Sequence, residues 1–218
     1  MDKEPANQSR LRVFMSKSNF WNDVYRSKRI NNVSWYADRL NTSLEIIKTN
    51  CSKKESSIID IGAGRSNLVD DLHDIGYKNL TLLDISEEAL KQTLERLGKL
   101  RVSKETIIGD ISKITIEENL YDLWHDRAVF HFLTEESQRK VYIQNLKRSL
   151  KKNGIAIIAT FGPDGPDKCS GLNTIKYDKT KLMAELGEDF QILGSKIEYH
   201  QTPFDTSQQF LYCWFKIK

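Results

Sequence analysis

Ser57-Ile58-Ile59-Asp60-Ile61-Gly62-Ala63-Gly64-Arg65-Ser66-Asn67-Leu68 is the stretch from which the fold of this chain is read. Ile58 to Ile61 is an apolar run that reads as a buried strand. It carries one acid, Asp60, and ends in a glycine-rich turn. A helical pattern follows at once, with Leu68, Leu72 and Ile75 at i, i+4 and i+7. Strand, glycine turn and helix together form a cradle for a nucleotide-like ligand, because glycine lets the backbone approach a ligand that a Cβ would push away.

The same alternation continues downstream. Asn79 to Asp84 is a second apolar run ending in an acid. Ser86 is a good N-cap with Glu87 and Glu88 in the first turn, and the helix it opens aligns Leu90, Leu94 and Leu97 before Gly98. Thr106 to Ile108 is a short third strand ending at Gly109-Asp110, and Tyr121 to His125 reads as a fourth. Thr134 is placed to cap a helix running to about Leu150. Asn153-Gly154 is a turn, Ile155 to Phe161 is the most apolar strand, and a Gly, Pro and Asp loop covers 162–172. A short helix near 179–187 precedes two strands, about 190–199 and 208–217. About eight residues join these last strands, too few for a crossover, so they pair antiparallel. The expected fold is α/β: a doubly wound, seven-stranded, mostly parallel sheet of Rossmann-like type with an antiparallel C-terminal hairpin.

Upstream of the first strand, helices are expected near 18–28 and 35–49, with Trp21 and Tyr25 on one face of the first and Trp35 and Tyr36 between them. These aromatics suit either core packing or a lid over the glycine turn. Residues 1–17 are polar and basic and read as a flexible arm, leaving 18–218 as a single domain.

Composition narrows the classes. The chain has 218 residues, 29% of them charged and 39% hydrophobic, an ordinary globular balance for one domain. A net charge of +3 is too small to argue for a nucleic-acid partner. Cys51, Cys169 and Cys213 are odd in number and lack C-x-x-C spacing, which points away from a disulfide framework or a zinc site and toward a cytoplasmic setting. No stretch is apolar enough to span a bilayer and no signal-peptide core is visible, so no membrane partner is expected.

The acids decide which nucleotide-like ligand the turn holds. A G-x-G-x-x-G pattern would need glycine at position 67, which is Asn67. Asp60 at the mouth of the turn disfavours a pyrophosphate, since like charges would meet in a partly desolvated site, and it favours a cationic amine or sulfonium. Asp84 ends the second strand, where an acid accepts from ribose hydroxyls. Asp110 ends the third, where a carboxylate can accept from an adenine amino group. Any one of them alone is more simply a cap or a solvated turn; three in register with a glycine turn fit S-adenosylmethionine.

Asp60-Ile-Gly-Ala-Gly-Arg-Ser-Asn-Leu, Leu83-Asp84-Ile-Ser86 and Gly109-Asp110-Ile resemble the first three motifs of class I S-adenosylmethionine-dependent methyltransferases. Val33-Ser-Trp-Tyr36, Trp124-His-Asp-Arg-Ala-Val-Phe-His-Phe-Leu133, Ala159-Thr-Phe161, Cys169-Ser-Gly-Leu172 and Thr202-Pro-Phe204 are similar to one bacterial branch of that superfamily, over nearly the whole chain from about residue 20. In its glycine and ribose motifs the branch is similar to eukaryotic protein-lysine methyltransferases. Ser66 stands where the superfamily commonly has a third glycine. The resemblance implies a cofactor, S-adenosylmethionine with S-adenosylhomocysteine as product, held by Asp60, Gly62, Ala63, Gly64, Ser66, Asp84, Ile85, Gly109, Asp110 and Ile111. The His125 backbone carbonyl is assigned to the methionine amine, and Trp21 and Trp35 are also assigned to cofactor binding.

Methyl transfer is an in-line displacement, so alignment of nucleophile, methyl and sulfur supplies most of the effect, and a base is needed only if the nucleophile arrives protonated. The segment after the fourth strand faces the methyl in this fold. Asp126 is a candidate base or substrate-cation ligand, Arg127 a ligand for a substrate acid or the ion-pair partner of Asp126, and His131 a catalytic candidate or a packed core histidine. The ion pair is the favoured reading of Arg127. Tyr25, Cys169, Ser170 and His200 are assigned to the acceptor pocket, with Cys169 not a nucleophile. No Asn/Asp-Pro-Pro-Tyr/Phe pattern or metal-ligand spacing occurs, against a nucleic-acid base as acceptor and against a metal-dependent mechanism. The acceptor put first is a protein lysine; the alternatives are a small molecule of the thiopurine or tellurite type, or a non-catalytic cofactor-binding module. A monomer or weak homodimer is expected.

Overall fold

The structure is a computed structural model that describes residues 16–98 and 104–218. The expectation of a flexible arm falls largely on residues outside that range. In chain order the elements are α1 (Lys17–Ser27), α2 (Asn41–Asn50), β1 (Ser57–Ile61), α3 (Leu68–Asp74), β2 (Asn79–Asp84), α4 (Glu87–Leu97), β3 (Lys104–Ile108) and β4 (Tyr121–Arg127). A single 3-10 turn, Phe130–Phe132, leads to α5 (Glu136–Ser149), β5 (Leu150–Phe161), β6 (Lys168–Cys169), β7 (Leu172–Asn173), α6 (Lys179–Leu186), β8 (Phe190–Gln201) and β9 (Ser207–Ile217).

Seven strands form one sheet in the order β3-β2-β1-β4-β5-β9-β8, parallel from β3 to β5 and antiparallel at β5-β9 and β9-β8. This is the doubly wound sheet with a terminal hairpin expected from the sequence. Successive residues of a strand face opposite sides, and the core divides accordingly. Leu123 and Ile157 pack with Leu44, Leu68 and Leu90 of α2, α3 and α4. Trp124 and Ile158 pack with Tyr142 and Leu182 of α5 and α6.

Local chemistry sets the element ends. Ser86 caps α4, its Oγ accepting from Ala89 N at 3.2 Å, and Gly98 closes the helix at φ +64°. Helix α5 is capped not by Thr134 but by Glu135, in a capping box with Gln138. Thr134 N is already committed to Phe132 O in the preceding turn. Helix α2 starts at Asn41, six residues later than expected. The preceding carbonyls make tertiary bonds instead: Trp35 O accepts from Arg127 Nη1 at 3.1 Å and Asp38 O from Asn67 Nδ2 at 3.1 Å. The Asn153-Gly154 turn proves to be an irregularity inside a longer β5, with Asn153 at φ +66° and the register shifting opposite Tyr121 and Leu123. The loop at 162–172 folds into a small β6-β7 hairpin whose turn, Ser170-Gly171, has positive φ at both residues. Among the described residues no helix is long and apolar enough to cross a membrane.

One side chain fixes the path from β3 to β4. Asn145 of α5 donates to Ile111 O and Ile114 O and accepts from Ile116 N, at 3.1, 2.8 and 3.0 Å. Its replacement by alanine leaves three polar groups unsatisfied in a buried place, so Asn145→Ala is expected to lose about 2–4 kcal/mol of stability. A urea midpoint within error of the parent would refute that assignment.

Candidate active site

The carboxyl ends of β3, β2, β1 and β4 bring Asp110, Asp84, Asp60 and Asp126 to one edge of the sheet. Asp84 is 4% exposed. Its Oδ2 accepts from Gly64 N at 2.8 Å and its Oδ1 from Ser86 N at 2.7 Å. Burial pushes its pKa up to about 6, against the pull of those amides. Asp110 is hydrogen-bonded on one side only: Oδ1 accepts from Ser112 N and Oγ, while Oδ2 is buried with no hydrogen-bond partner among the described residues and has the Lys113 ammonium 3.9 Å away.

Gly62 and Gly64 both have positive φ, +67° and +52°. A Cβ on Gly62 would collide with Val129, and one on Gly64 would lie 2.6 Å from Tyr25 Oη. Tyr25 thus lies directly over the glycine turn. Trp21, Tyr25 and Trp35 form an edge-to-face cluster, with ring centroids 5.7 Å apart for Trp21–Trp35 and 6.4 Å for Tyr25–Trp35, and Trp21 reaches Phe132 at 5.5 Å. Both aspects of these aromatics are present: Tyr25 is buried and Trp35 packs against the core, while all three rings line the cleft beside the glycine turn. Helix α1 is latched from below: Arg65 of the glycine turn donates to the carbonyls of Tyr25, Lys28 and Arg29, and Asn22 Oδ1 accepts from Ser86 Oγ and Glu88 N.

Two joined cavities lie under this roof. One, partly open to solvent, spans about 850 Å³, and Asp84, Ile85, Gly109, Asp110 and Ile111 line it at one end and Phe161, Cys169 and Phe210 at the other. The second, about 570 Å³, is lined by Asp60, Ala63, Gly64, Ser66 and His125. Tyr25, Trp35, Gly62 and Arg127 line both.

Asp60 and His125 are register partners on β1 and β4, so their side chains lie side by side. His125 Nδ1 donates to Asp60 Oδ1 at 2.7 Å, and Nε2 meets Ser43 Oγ of α2 at 2.9 Å. The His125 side chain therefore has a structural partnership beyond the packing expected of it.

Asp126 is fully buried and lines neither cavity. Oδ1 accepts from Val129 N, and Oδ2 accepts from Phe130 N and the Tyr142 hydroxyl. These bonds brace the turn in which Ala128 takes φ +75°, a conformation alanine adopts only when its surroundings impose it. A base needs an accessible oxygen, and Asp126 offers none. His131 is likewise fully buried: Nδ1 accepts from Phe161 N at 3.0 Å, and burial and the Arg127 charge push its pKa down to about 3. It is a neutral, packed histidine, stacked 4.2 Å from Phe161.

Arg127 behaves differently from the expected ion pair. Adjacent strand positions point to opposite faces, so Asp126 and Arg127 are separated. The guanidinium donates from Nε to Tyr212 Oη and from Nη1 to Trp35 O, and lies 4.5 Å above the Phe210 ring. Ser170 and His200 line neither cavity; His200 Nε2 donates instead to Ser34 O at 3.0 Å. Phe132, Val129 and Phe210 line the cleft and were not singled out from sequence, although Phe132 and Phe210 lie inside aromatic stretches that were.

A doubly wound sheet with a glycine turn, a ribose-type acid and a roofed cleft at its carboxyl edge defines the nucleoside-cofactor-binding class of α/β enzymes. A family model described as "Methyltransferase domain" matches residues 52–215, and the chain belongs to that family. The eEF1A lysine and N-terminal methyltransferase homolog of Drosophila melanogaster is 23% identical over 151 residues, 66% of this chain and 22% of that protein. The malonyl-[acyl-carrier protein] O-methyltransferase of Halalkalibacterium halodurans is 28% identical over 132 residues, 59% of this chain and 47% of that protein. The chain thus spans about a fifth of the length of the first of these relatives and about half of the second. Among solved structures, the N-methyltransferase NodS from Bradyrhizobium japonicum in complex with S-adenosylhomocysteine is similar at TM-score 0.69 and 17% identity, covering 90% of this chain and 97% of that one.

S-Adenosylmethionine, the cofactor expected from the sequence, fits the residues present in this methyltransferase domain. Asp110 Oδ2 accepts no hydrogen bond among the described residues and has room for a donor, Asp84 offers a carboxylate beside the glycine turn, and the missing Cβ atoms of Gly62 and Gly64 keep the turn open. Among the described residues no cluster of His, Cys, Asp or Glu could hold a metal.

Two outcomes follow from this geometry. Asp84 binds hydroxyl donors as a carboxylate, the form present above about pH 6 and lost as pH falls through it. S-Adenosylhomocysteine affinity, read by calorimetry, is therefore expected to fall about fourfold from pH 7.5 to 5.5 as the ionised fraction drops. Asp84→Asn should bind weakly with a flat profile; a flat parent profile would refute the role. Arg65→Ala removes the latch on α1 and is expected to speed S-adenosylhomocysteine release about tenfold, with a smaller change in association. Stopped-flow tryptophan fluorescence checks this, and an unchanged off-rate would count against a lid.

Proposed function

We propose that this chain transfers the methyl group of S-adenosylmethionine to a small acceptor bound under the aromatic roof. The observation that carries this reading is the closure of the cleft by Trp21, Tyr25 and Trp35, together with the apolar character of its far end. A protein lysine would call for an open acidic groove beside the methyl. The carboxylates that line the larger cavity, Asp84 and Asp110, stand at the donor end.

Bound there, S-adenosylmethionine supplies a methyl carbon on a sulfonium: the acceptor lone pair bonds to that carbon while the carbon–sulfur bond breaks and its electrons return to sulfur. The protein's share is alignment. Asp84 and Asp110 would hold the ribose and adenine, and the Asp60 side of the smaller cavity would take the methionine end. Val129, Phe132 and the roof aromatics would exclude water and hold the acceptor in line. With Asp126 and His131 enclosed, the site favours an acceptor that arrives already unprotonated, for which no base is needed.

A protein amine is the second reading. It is favoured by the relatives named as lysine and N-terminal methyltransferases, which this chain matches over about a fifth of their length. Incubation of the purified chain with tritiated cofactor and cell lysate, followed by separation into protein and small-molecule fractions, distinguishes them. Label in the small-molecule fraction is expected. Label in protein would overturn the small-acceptor reading in favour of the second, and cofactor binding with no transferred label would leave a non-catalytic module.

A further inference from the structure

Arg127 is a cation without an anion. Among the described residues it forms no ion pair with any carboxylate; its contacts are the Tyr212 hydroxyl, the Trp35 carbonyl and the Phe210 face. Its Nη2 is buried and has no hydrogen-bond partner. A buried, charged donor left unsatisfied is costly unless something else completes it. Glu198 of β8 acts on the neighbouring His200 and Tyr212, but among the described residues it forms no ion pair with Arg127. His131 and His200 are both held uncharged by burial and by the Arg127 field, and burial raises the Cys169 thiol above its ordinary range. The nearby carboxylates are engaged elsewhere, Asp60 with His125 and Asp126 with Val129, Phe130 and Tyr142.

The placement of the guanidinium indicates which ligand completes it. Arg127 borders both cavities, but Phe210, on which it stacks, lines only the larger one, at the end away from Asp84 and Asp110. Around it that end is aromatic and apolar: Phe161, Phe132 and Leu133, with Cys169 beside them. A single fixed cation in an apolar enclosure selects a compact acid with an apolar body, because the ion pair is strengthened where water is excluded.

Resting on the methyltransferase reading above, we propose that Arg127 is the specificity-determining residue for an anionic acceptor: the molecule methylated here carries a carboxylate or like oxyanion on a small apolar frame, and that group pairs with the Arg127 guanidinium. Tyr212 and Trp35 orient the fork so that one nitrogen edge is left for the ligand.

The test uses the full chain saturated with S-adenosylhomocysteine and three matched probes, benzoate, benzamide and benzylamine, titrated by calorimetry. Benzoate is expected to bind at least about tenfold more tightly than the neutral amide, with the amine weakest, as a charge-assisted pair requires. Arg127→Gln should erase the preference between benzoate and benzamide, each titrated at saturating S-adenosylhomocysteine, and Arg127→Lys should retain part of it. Equal binding of benzoate and benzamide to the parent overturns the proposal without recourse to any variant. So does a loss of S-adenosylhomocysteine affinity in Arg127→Gln with 5′-methylthioadenosine affinity kept, since that pattern assigns Arg127 to the cofactor's own carboxylate. If S-adenosylhomocysteine fails to bind the parent, the methyltransferase reading falls, and this proposal with it. If it binds and the probes do not discriminate, the anionic acceptor alone falls.

Discussion

Four carboxylates gathered on one edge of a sheet repel one another and lose hydration, and the structure around the cleft is organised by how each is compensated. An isolated buried carboxylate costs several kcal/mol, so each needs hydrogen bonds or a partner. Asp84 takes two backbone amides, one from the glycine turn and one from the cap of α4, and thereby ties β1, β2 and α4 together. Asp126 takes two amides and a tyrosine hydroxyl, and in doing so forces the chain after β4 into the turn that carries Val129 and Phe132 to the cleft. Asp60 takes an imidazole. Asp110 is satisfied on one oxygen only. Asp110, the acid left incomplete, lines the larger cavity beside Asp84, and Asp126, the acid completed three times over, lines neither cavity.

That distinction explains how far the sequence could be read. The strand order, the terminal hairpin and the alignment of Asp60, Asp84 and Asp110 with the glycine turn follow from local patterns: apolar runs, acids at their ends, and spacing too short for a crossover. The partner of each acid does not. His125 is 65 residues from Asp60 and Ser43 is 82 from His125, and only the register of β1 against β4 and the docking of α2 bring them together. Asp126 and Arg127 look like a pair because they are neighbours in the chain. On a strand that adjacency puts them on opposite faces, one toward Tyr142 and the other toward Tyr212. The two-residue extension of β4 beyond His125 is what applies strand geometry to both, and the apolar run from which a strand end is read gave no sign of it.

Helix boundaries missed for a related reason. A helix is expected from residue 35, but the backbone there gives its carbonyls to Arg127 and Asn67. Tertiary bonds from long polar side chains override a local preference worth only tenths of a kcal/mol per residue. Trp35 meets Trp21 and Tyr25 from this irregular segment, its carbonyl accepting from Arg127 rather than from a helical amide.

Arg127 therefore links the two halves of the site. Through Trp35 it fixes the roof, and through Tyr212 it reaches the last strand but one in the sheet order. The Tyr212 phenol is influenced in turn by the Ser43 hydroxyl, which meets His125, which holds Asp60. A line of polar groups thus runs through an otherwise apolar core from the Arg127 cation to the Asp60 carboxylate. Its two ends carry opposite charge, and every group between them can donate toward the acid. Such a line stabilises each end by orienting dipoles toward it, and it makes their geometry interdependent: a shift of the guanidinium is felt at the carboxylate without any contact between the two. A reaction that depends on a straight path from acceptor to methyl to sulfur is well served by a wall whose two ends cannot drift separately.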